Sequence, residues 1–410
     1  MKLLLLRTTA ALLVAPTSIF GFAATASSTE TSDMAEADVD AKLAEFFKEY
    51  DDQELSFSPL SKAYRGIRDA DYGKWNDPSE AAEIANYERG QAALAKMEAE
   101  FDKDRLSESS QLSYRLFQAR AERSRNAFPF RRNDYVFDQM NGAQSQIPAF
   151  MINIHRVANI ADAGAYVSRL YGVGPLIESL VAQSADRAND GIMVPDWVFP
   201  YVISEAQNVI SGAPFTEGDD SPIFEDLKKK VNALDISESE KSDLIARGKE
   251  ALTDSLKPAY EKLISEMERQ QKMAGDGDGV WRFEDGAAYY AERLQNYTTT
   301  DLTADEIHQI GLDNVARIHD LMRKIMADVG FEGSLQEFFV HLRTGDKYFH
   351  TSREDYLAAA KAKLAEMEKK LPEFFNTLPD APFIIKPVEA FREKSAGKAF
   401  YQSPAPDGSR

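Results

Sequence analysis

The sequence contains no cysteine. That excludes disulfides, thiolate metal sites and a lipid-anchored N-terminal cysteine. Positive charge is also scarce: 48 lysines and arginines face 67 aspartates and glutamates, a net charge of −19. Phosphate backbones and anionic bilayers are bound through clustered positive charge, so the balance argues against nucleic acid and against a membrane surface as partners. The acidic surplus suits a solvated surface that keeps an exported protein soluble. Long apolar runs are missing as well. The one run, Ala10 to Phe22, is too short and too broken by Pro16 to span a bilayer. No pair of histidines has the H-x-x-x-H spacing, and neither a G-x-S-x-G elbow nor a G-x-x-x-x-G-K-[ST] phosphate loop occurs.

What is present begins with an export signal. Lys2 and Arg7 precede the apolar run and Ala24-Thr25-Ala26 follows it, which marks residues 1–26 as a signal peptide cleaved near Ala26-Ser27. The product is then secreted, and periplasmic where there is an outer membrane, with no membrane attachment after cleavage. About 380 remaining residues bury a core large enough to need no covalent staples. Residues 27–38 are small, polar and acidic and read as a disordered leader. Residues 39–410 read as one mainly α unit, a multi-helix bundle with a minor β element near the C-terminus. Helical period places Val39, Leu43, Phe46, Phe47 and Tyr50 on one face. It does the same for Ile84, Tyr87, Leu94, Met97 and Phe101, and for Leu112, Leu116, Ala119 and Arg123. Ser237-x-x-Glu240, Thr303-x-x-Glu306 and Ser352-x-x-Asp355 are helix-opening caps, and Gly330 closes the second of these helices. Val194–Ile203 mixes β-branched and aromatic residues but is cut by Pro195 and Pro200. Phe383–Val388 is the best strand candidate.

Candidate chemistry is sparse. His308 and His319 share a helix face but stand about 16 Å apart, too far for one ion. Glu337-x-x-x-His341 reads as an ion pair on a helix surface. Asp276-Gly277-Asp278-Gly279 lacks the acidic ligands of a calcium loop and reads as a turn. Gln139–His155, QMNGAQSQIPAFMINIH, is richer. Asn141, Gln144, Gln146 and Asn153 are costly to bury without partners. They form either a buried polar network or the wall of a groove that hydrogen-bonds a peptide backbone. Arg282–Tyr290 (RFEDGAAYY) raises the same choice. In Asn296–Asp301 (NYTTTD) a helix N-cap at Thr300 or Asp301 is sufficient.

Several segments together resemble the bacterial DUF885 family: QMNGAQSQIPAFMINIH, DAGAYVSRL with GIMVPDWVFPYVI, DGAAYYAERLQNYTTTDLTADEIHQIGLDNVARI, TSREDYLAAAKAKLAEMEKKLPEFF and AFYQSPAPDGSR. The order and spacing hold from about Val39 to Arg410. The resemblance implies a helical zinc metallopeptidase of the gluzincin type, with peptides as substrate. Its H-E-x-x-P-G-H-type motif is expected beyond the D-G-S-R segment, so that this chain corresponds to the N-terminal two-thirds of such an enzyme. Zinc is then expected for the full-length protein, where it activates a water and polarises the scissile carbonyl. None is expected on this chain, nor any catalytic residue. Tyr401, Ser409 and Arg410 stand where a substrate-facing edge would begin, with Arg410 suited to a substrate carboxylate. The other reading is a non-catalytic helical peptide-binding or scaffold protein of the cell envelope.

Overall fold

The computed structural model of the chain describes residues 27–404, apart from Ser395 and Lys398. Residues 1–26, read above as a signal peptide, and Ser409 and Arg410 lie outside the described residues.

The first helices are α1 (Ser27–Ser56), α2 (Pro59–Tyr64), α3 (Glu80–Glu100) and α4 (Glu108–Ala127). Helices α1, α3 and α4 bury Leu43, Phe46, Leu94, Met97, Tyr114 and Ala121 in a satellite core. Two expectations change here. Helix α1 begins at Ser27, so residues 27–38 are helical rather than a disordered leader. Nothing in residues 27–38 opposes a helix, since the stretch holds neither proline nor glycine. On α4 the inward face is Tyr114, Phe117 and Ala121, whereas Leu112 and Leu116 are 50% and 52% exposed. Aromatic burial decides it: Phe117 lies 5.4 Å from Phe47 and 5.2 Å from Tyr50, ring centre to ring centre.

The main core lies between α5 (Ala143–Asn153), α6 (Ile160–Asn189), α7 (Phe199–Val209), α8 (Pro222–Asn232), α9 (Glu238–Ala251) and α10 (Lys257–Gln271). A π turn, Leu252–Leu256, joins α9 to α10 into one continuous rod. Three of these helical segments carry prolines where a proline removes a backbone donor. Pro148 cannot bond the carbonyl of Gln144; the Tyr260 hydroxyl donates to it at 2.8 Å instead. Pro175 cannot bond the carbonyl of Tyr171; the Ser255 hydroxyl donates to it at 2.7 Å. The third, Pro258, follows the π turn, whose wider bonding absorbs the missing donor. Ser255 and Tyr260 both belong to this rod, so one element satisfies both kinked neighbours. Pro200 instead sits in the first turn of α7, where its missing N–H costs nothing, and Asp196–Ile203 is helical while Val194 and Pro195 before it are not.

The last helices are α11 (Gly286–Thr298), α12 (Ala304–Asp328), α13 (Leu335–Thr344), α14 (Arg353–Glu368) and α15 (Leu371–Phe374). Thr303 and Glu306 form a reciprocal capping box at the start of α12, as Ser237 and Glu240 do for α9. Ser352 accepts from the Asp355 N–H, with the Asp355 carboxylate turned to Thr351. Gly330, at φ 69°, lets the Phe331 N–H close back on the Met326 carbonyl. The NYTTTD run ends a helix rather than starting one, because Thr299 caps α11 in the left-handed region at φ 57°. Along α12, Ile310, Ile318, Leu321 and Ile325 stay exposed, and a small cluster of Met326, Leu335 and Phe338 joins it to α13. The late β element is not formed. Among the described residues there is no strand, only one isolated bridge between Ala213 and Asp220. Phe383–Val388 lies without helix or strand pairing, and Ile384 is 64% exposed. Residue preference for a strand is worth little without a second backbone to pair with.

Replacing Tyr260 by Phe leaves the Gln144 carbonyl buried and unpaired, at a cost of about 1–3 kcal/mol. Ser255→Ala, in a partly exposed place, costs about 0.5–1.5 kcal/mol. Urea unfolding followed by circular dichroism is expected to give that order.

Candidate functional site

The amide-rich segment becomes α5 and the turn before it. Asp138 organises that turn by accepting from the Met140 and Asn141 N–H groups at 2.6 and 2.7 Å. Gly142 then passes close under the turn. A Cβ built there would lie 2.1 Å from Gln144 Oε1 and 2.4 Å from the Asp138 nitrogen. Gln144 is fully buried, and its amide donates to the Asp138 carbonyl and, at 2.8 Å, to the buried Glu205 of α7. The Tyr260 hydroxyl, itself on the Gln144 carbonyl, is pushed well above its ordinary pKa by burial and by the Glu205 charge. This is a polar network inside a core.

A second network surrounds the C-terminal end of α5. His155 is buried between Tyr72 and Tyr166. The Arg169 guanidinium stands 2.9 Å from its Nδ1. Arginine has only donors, so Nδ1 accepts and the ring proton sits on Nε2, which faces the Asp162 carbonyl at 3.2 Å. Burial and the Arg169 charge bring the His155 pKa down to about 3, so the ring is neutral. Arg169 also donates to the Lys74 carbonyl and lies over the rings of Tyr72 and Phe150. Below them, Lys230 donates to the Met151 and Ile152 carbonyls at 2.8 and 3.0 Å, which caps α5. Its ammonium pairs with Asp226 at 2.7 Å, and Asp226 accepts from the Tyr166 hydroxyl at 2.9 Å. Burial pushes Asp226 up and Lys230 down, each toward its neutral form.

The sequence-derived candidates separate in this frame. Gln144 is core. Asn141 and Gln146 face solvent. Asn153 is half-buried and its amide donates to the Ala149 carbonyl and to the Glu389 carboxylate. Tyr401 is 66% exposed and stacks on Phe383 at 5.9 Å. Only Asn153 meets a segment from the far end of the chain. In RFEDGAAYY, Asp285 takes a 2.8 Å bond from Asn133, and Tyr289 donates to Asp134. Both are ties to the loop before α5. The Glu337 carboxylate is held in a capping box by Ser334, and His341 faces the rings of Phe331 and Tyr348, so these two are neither an ion pair nor a ligand pair. His308 and His319 do share the unbroken α12. Among the described residues no three histidine, aspartate or glutamate side chains converge as metal ligands. Nor is any helix among them long and apolar enough to cross a membrane. Two depressions stand out: a cleft of about 10 Å3 at Asp134 and Gln270, and an open groove of about 370 Å3 along α8 and α9. Neither is lined by α5.

The polar residues that matter most were not singled out by motif. Arg169 sits between Val167 and Leu170, and Glu205 between Val202 and Ala206, all of these apolar residues being buried. A charge inside an apolar period is the signal that could have found them.

The pattern of the family described as "Bacterial protein of unknown function (DUF885)" matches residues 59–410. This chain belongs to the DUF885 family. Its fold is similar to the crystal structure of a "putative lipoprotein" from Colwellia psychrerythraea, with a TM-score of 0.79 at 20% identity. The likeness covers 90% of this chain and 66% of that one, so the chain spans about two thirds of its length. Identity that low shows the helical fold and no more. Among curated proteins no match was found.

Two measurements test the α5 geometry. Gly142→Ala forces a Cβ against backbone atoms of Asp138 and is expected to cost about 1–3 kcal/mol. For His155 the folded pKa of about 3 lies below the ordinary 6.5. The native state therefore refuses a proton that the unfolded chain accepts. The stabilisation is complete above pH 6.5 and is lost as pH falls through that window toward 3. The slope is at most about 1.4 kcal/mol per pH unit. His155→Gln is expected to flatten that part of the profile in urea titrations between pH 7 and 4.

Proposed function

We propose that this DUF885 chain is the exported helical scaffold of a zinc-dependent peptidase, and that it is catalytically silent by itself. The observation behind the reading is how its buried ionisable groups are used. His155, Asp162, Arg169, Asp226 and Lys230 are each engaged by a backbone carbonyl, a backbone N–H or one another. None of them lines either of the two depressions described above. A catalytic group needs such a space, together with partners that leave one lone pair or proton free. The described residues do not fit a zinc ion, so no catalytic step is derived for them. Peptide hydrolysis remains an implication of the resemblance, and its ligands are to be sought outside these helices.

Export follows from the signal-type sequence at residues 1–26. The Colwellia protein is described as a "putative lipoprotein", but this chain has no cysteine on which to carry a lipid. We therefore read release after cleavage near Ala26-Ser27, into the periplasm of a bacterium with two membranes. The alternative, a peptide-binding scaffold with no catalytic role, draws on the same use of the buried groups.

Metal analysis of the purified chain decides between outcomes. The expected result is zinc far below one equivalent and no chelator-sensitive cleavage of a peptide library. One equivalent of zinc with cleavage that EDTA abolishes overturns the reading.

A further inference from the structure

A short segment late in the chain is bound as a ligand would be. Residues 381–389 carry no regular structure, and a single 3-10 turn follows at Ala390–Arg392. No strand pairing and no long helix hold this strap in place. Three side-chain devices do. Phe391 is 6% exposed and joins the main hydrophobic core, against α7. The Glu389 carboxylate accepts from the Asn153 amide at the end of α5. Arg392 folds back on Glu389 at 2.6 Å, with both side chains nearly buried. A fourth contact is longer: the Asn208 amide of α7 stands 3.5 Å from the Phe391 carbonyl.

An aromatic anchor in an apolar recess, flanked by an oriented charge and an amide aimed at a backbone carbonyl, is how extended peptides are recognised. The turn packs on α7, the end of α5 supplies Asn153, and α5 and α7 are packed on each other within the main core. We propose that the cleft between the end of α5 and α7 is a peptide-docking site for an acidic–x–aromatic–basic sequence, occupied here in cis by Glu389–Arg392 and open to a free peptide of that class. The strap is then an autoinhibitory occupant. Asn153 selects the acid and the core recess selects the aromatic ring. This holds whether or not the full-length protein hydrolyses peptides, and its test involves no catalysis.

The test uses the full chain and a fluorescent peptide of residues 387–393, PVEAFRE. The strap is vacated with the double variant Glu389→Ala/Phe391→Ala. Removing both anchors is expected to raise affinity for the free peptide at least about tenfold over wild type, the difference that one well-buried anchor typically makes. The same peptide with Phe391→Ala is expected not to bind. A double variant that keeps its helical signal and cooperative melt yet binds no better than wild type overturns the proposal. If the double variant does not fold, the wild-type chain decides. Excess peptide is expected to speed amide exchange across residues 386–393. Unchanged exchange at saturating peptide makes the strap a fixed part of the core and overturns the proposal.

Discussion

Two hydroxyl groups on one rod hold the centre of this protein together. Pro148 and Pro175 each break a helix's own hydrogen bonding, and Tyr260 and Ser255 repair the carbonyls they leave behind. A buried carbonyl without a partner costs about 1–3 kcal/mol, so the repair is comparable to a core side chain in weight. It is also directional. The rod must lie against α5 and α6 at one height and one rotation for both hydroxyls to reach. The π turn before Pro258 helps to set that rotation. Close approach is secured at Gly174, where a Cβ would fall 2.4 Å from the Ser255 hydroxyl.

The buried charges depend on this arrangement. Once α5 is fixed, its last carbonyls face Lys230, and His155 is presented to Arg169. A guanidinium in a core is tolerable only with acceptors and aromatic faces around it, and Arg169 has the Lys74 carbonyl, His155 and the three rings of Tyr72, Trp75 and Phe150. Burial still brings its pKa down to about 10. These groups give the core a single register, because sliding α5 by one turn would strand several of them at once.

Much of the fold was legible in the sequence, for local reasons. Ser237, Thr303 and Gly330 act within one turn of themselves, so the helix ends they mark needed no knowledge of the rest. Two of the misreadings have a cause of the opposite kind. The face of α4 was settled by aromatic partners on α1, and Phe383–Val388 lacked a strand to pair with. Both depend on what lies across space. The amide-rich stretch shows the same division. Its polarity announced a network or a groove wall, and the structure uses Gln144 for the first and Asn153 at the cleft that holds the strap. No spacing rule separates residues 144 and 153, because their partners, Glu205 and Glu389, lie far along the chain.

The late helices sit under a different regime from the centre. Helices α5 to α10 share one continuous core, whereas α12 and α13 meet through a cluster of three buried residues. Local opening is easiest where buried apolar contacts are fewest. The low-stability end of this molecule is therefore the stretch from α12 to the strap, and the high-stability end is the proline-bearing centre. The strap joins the two, since Phe391 belongs to the central core while Glu393 pairs with Arg353 at the start of α14. The pair with Arg353 is exposed and weak, so the strap's hold on the molecule lies at Phe391 and Glu389 rather than at α14.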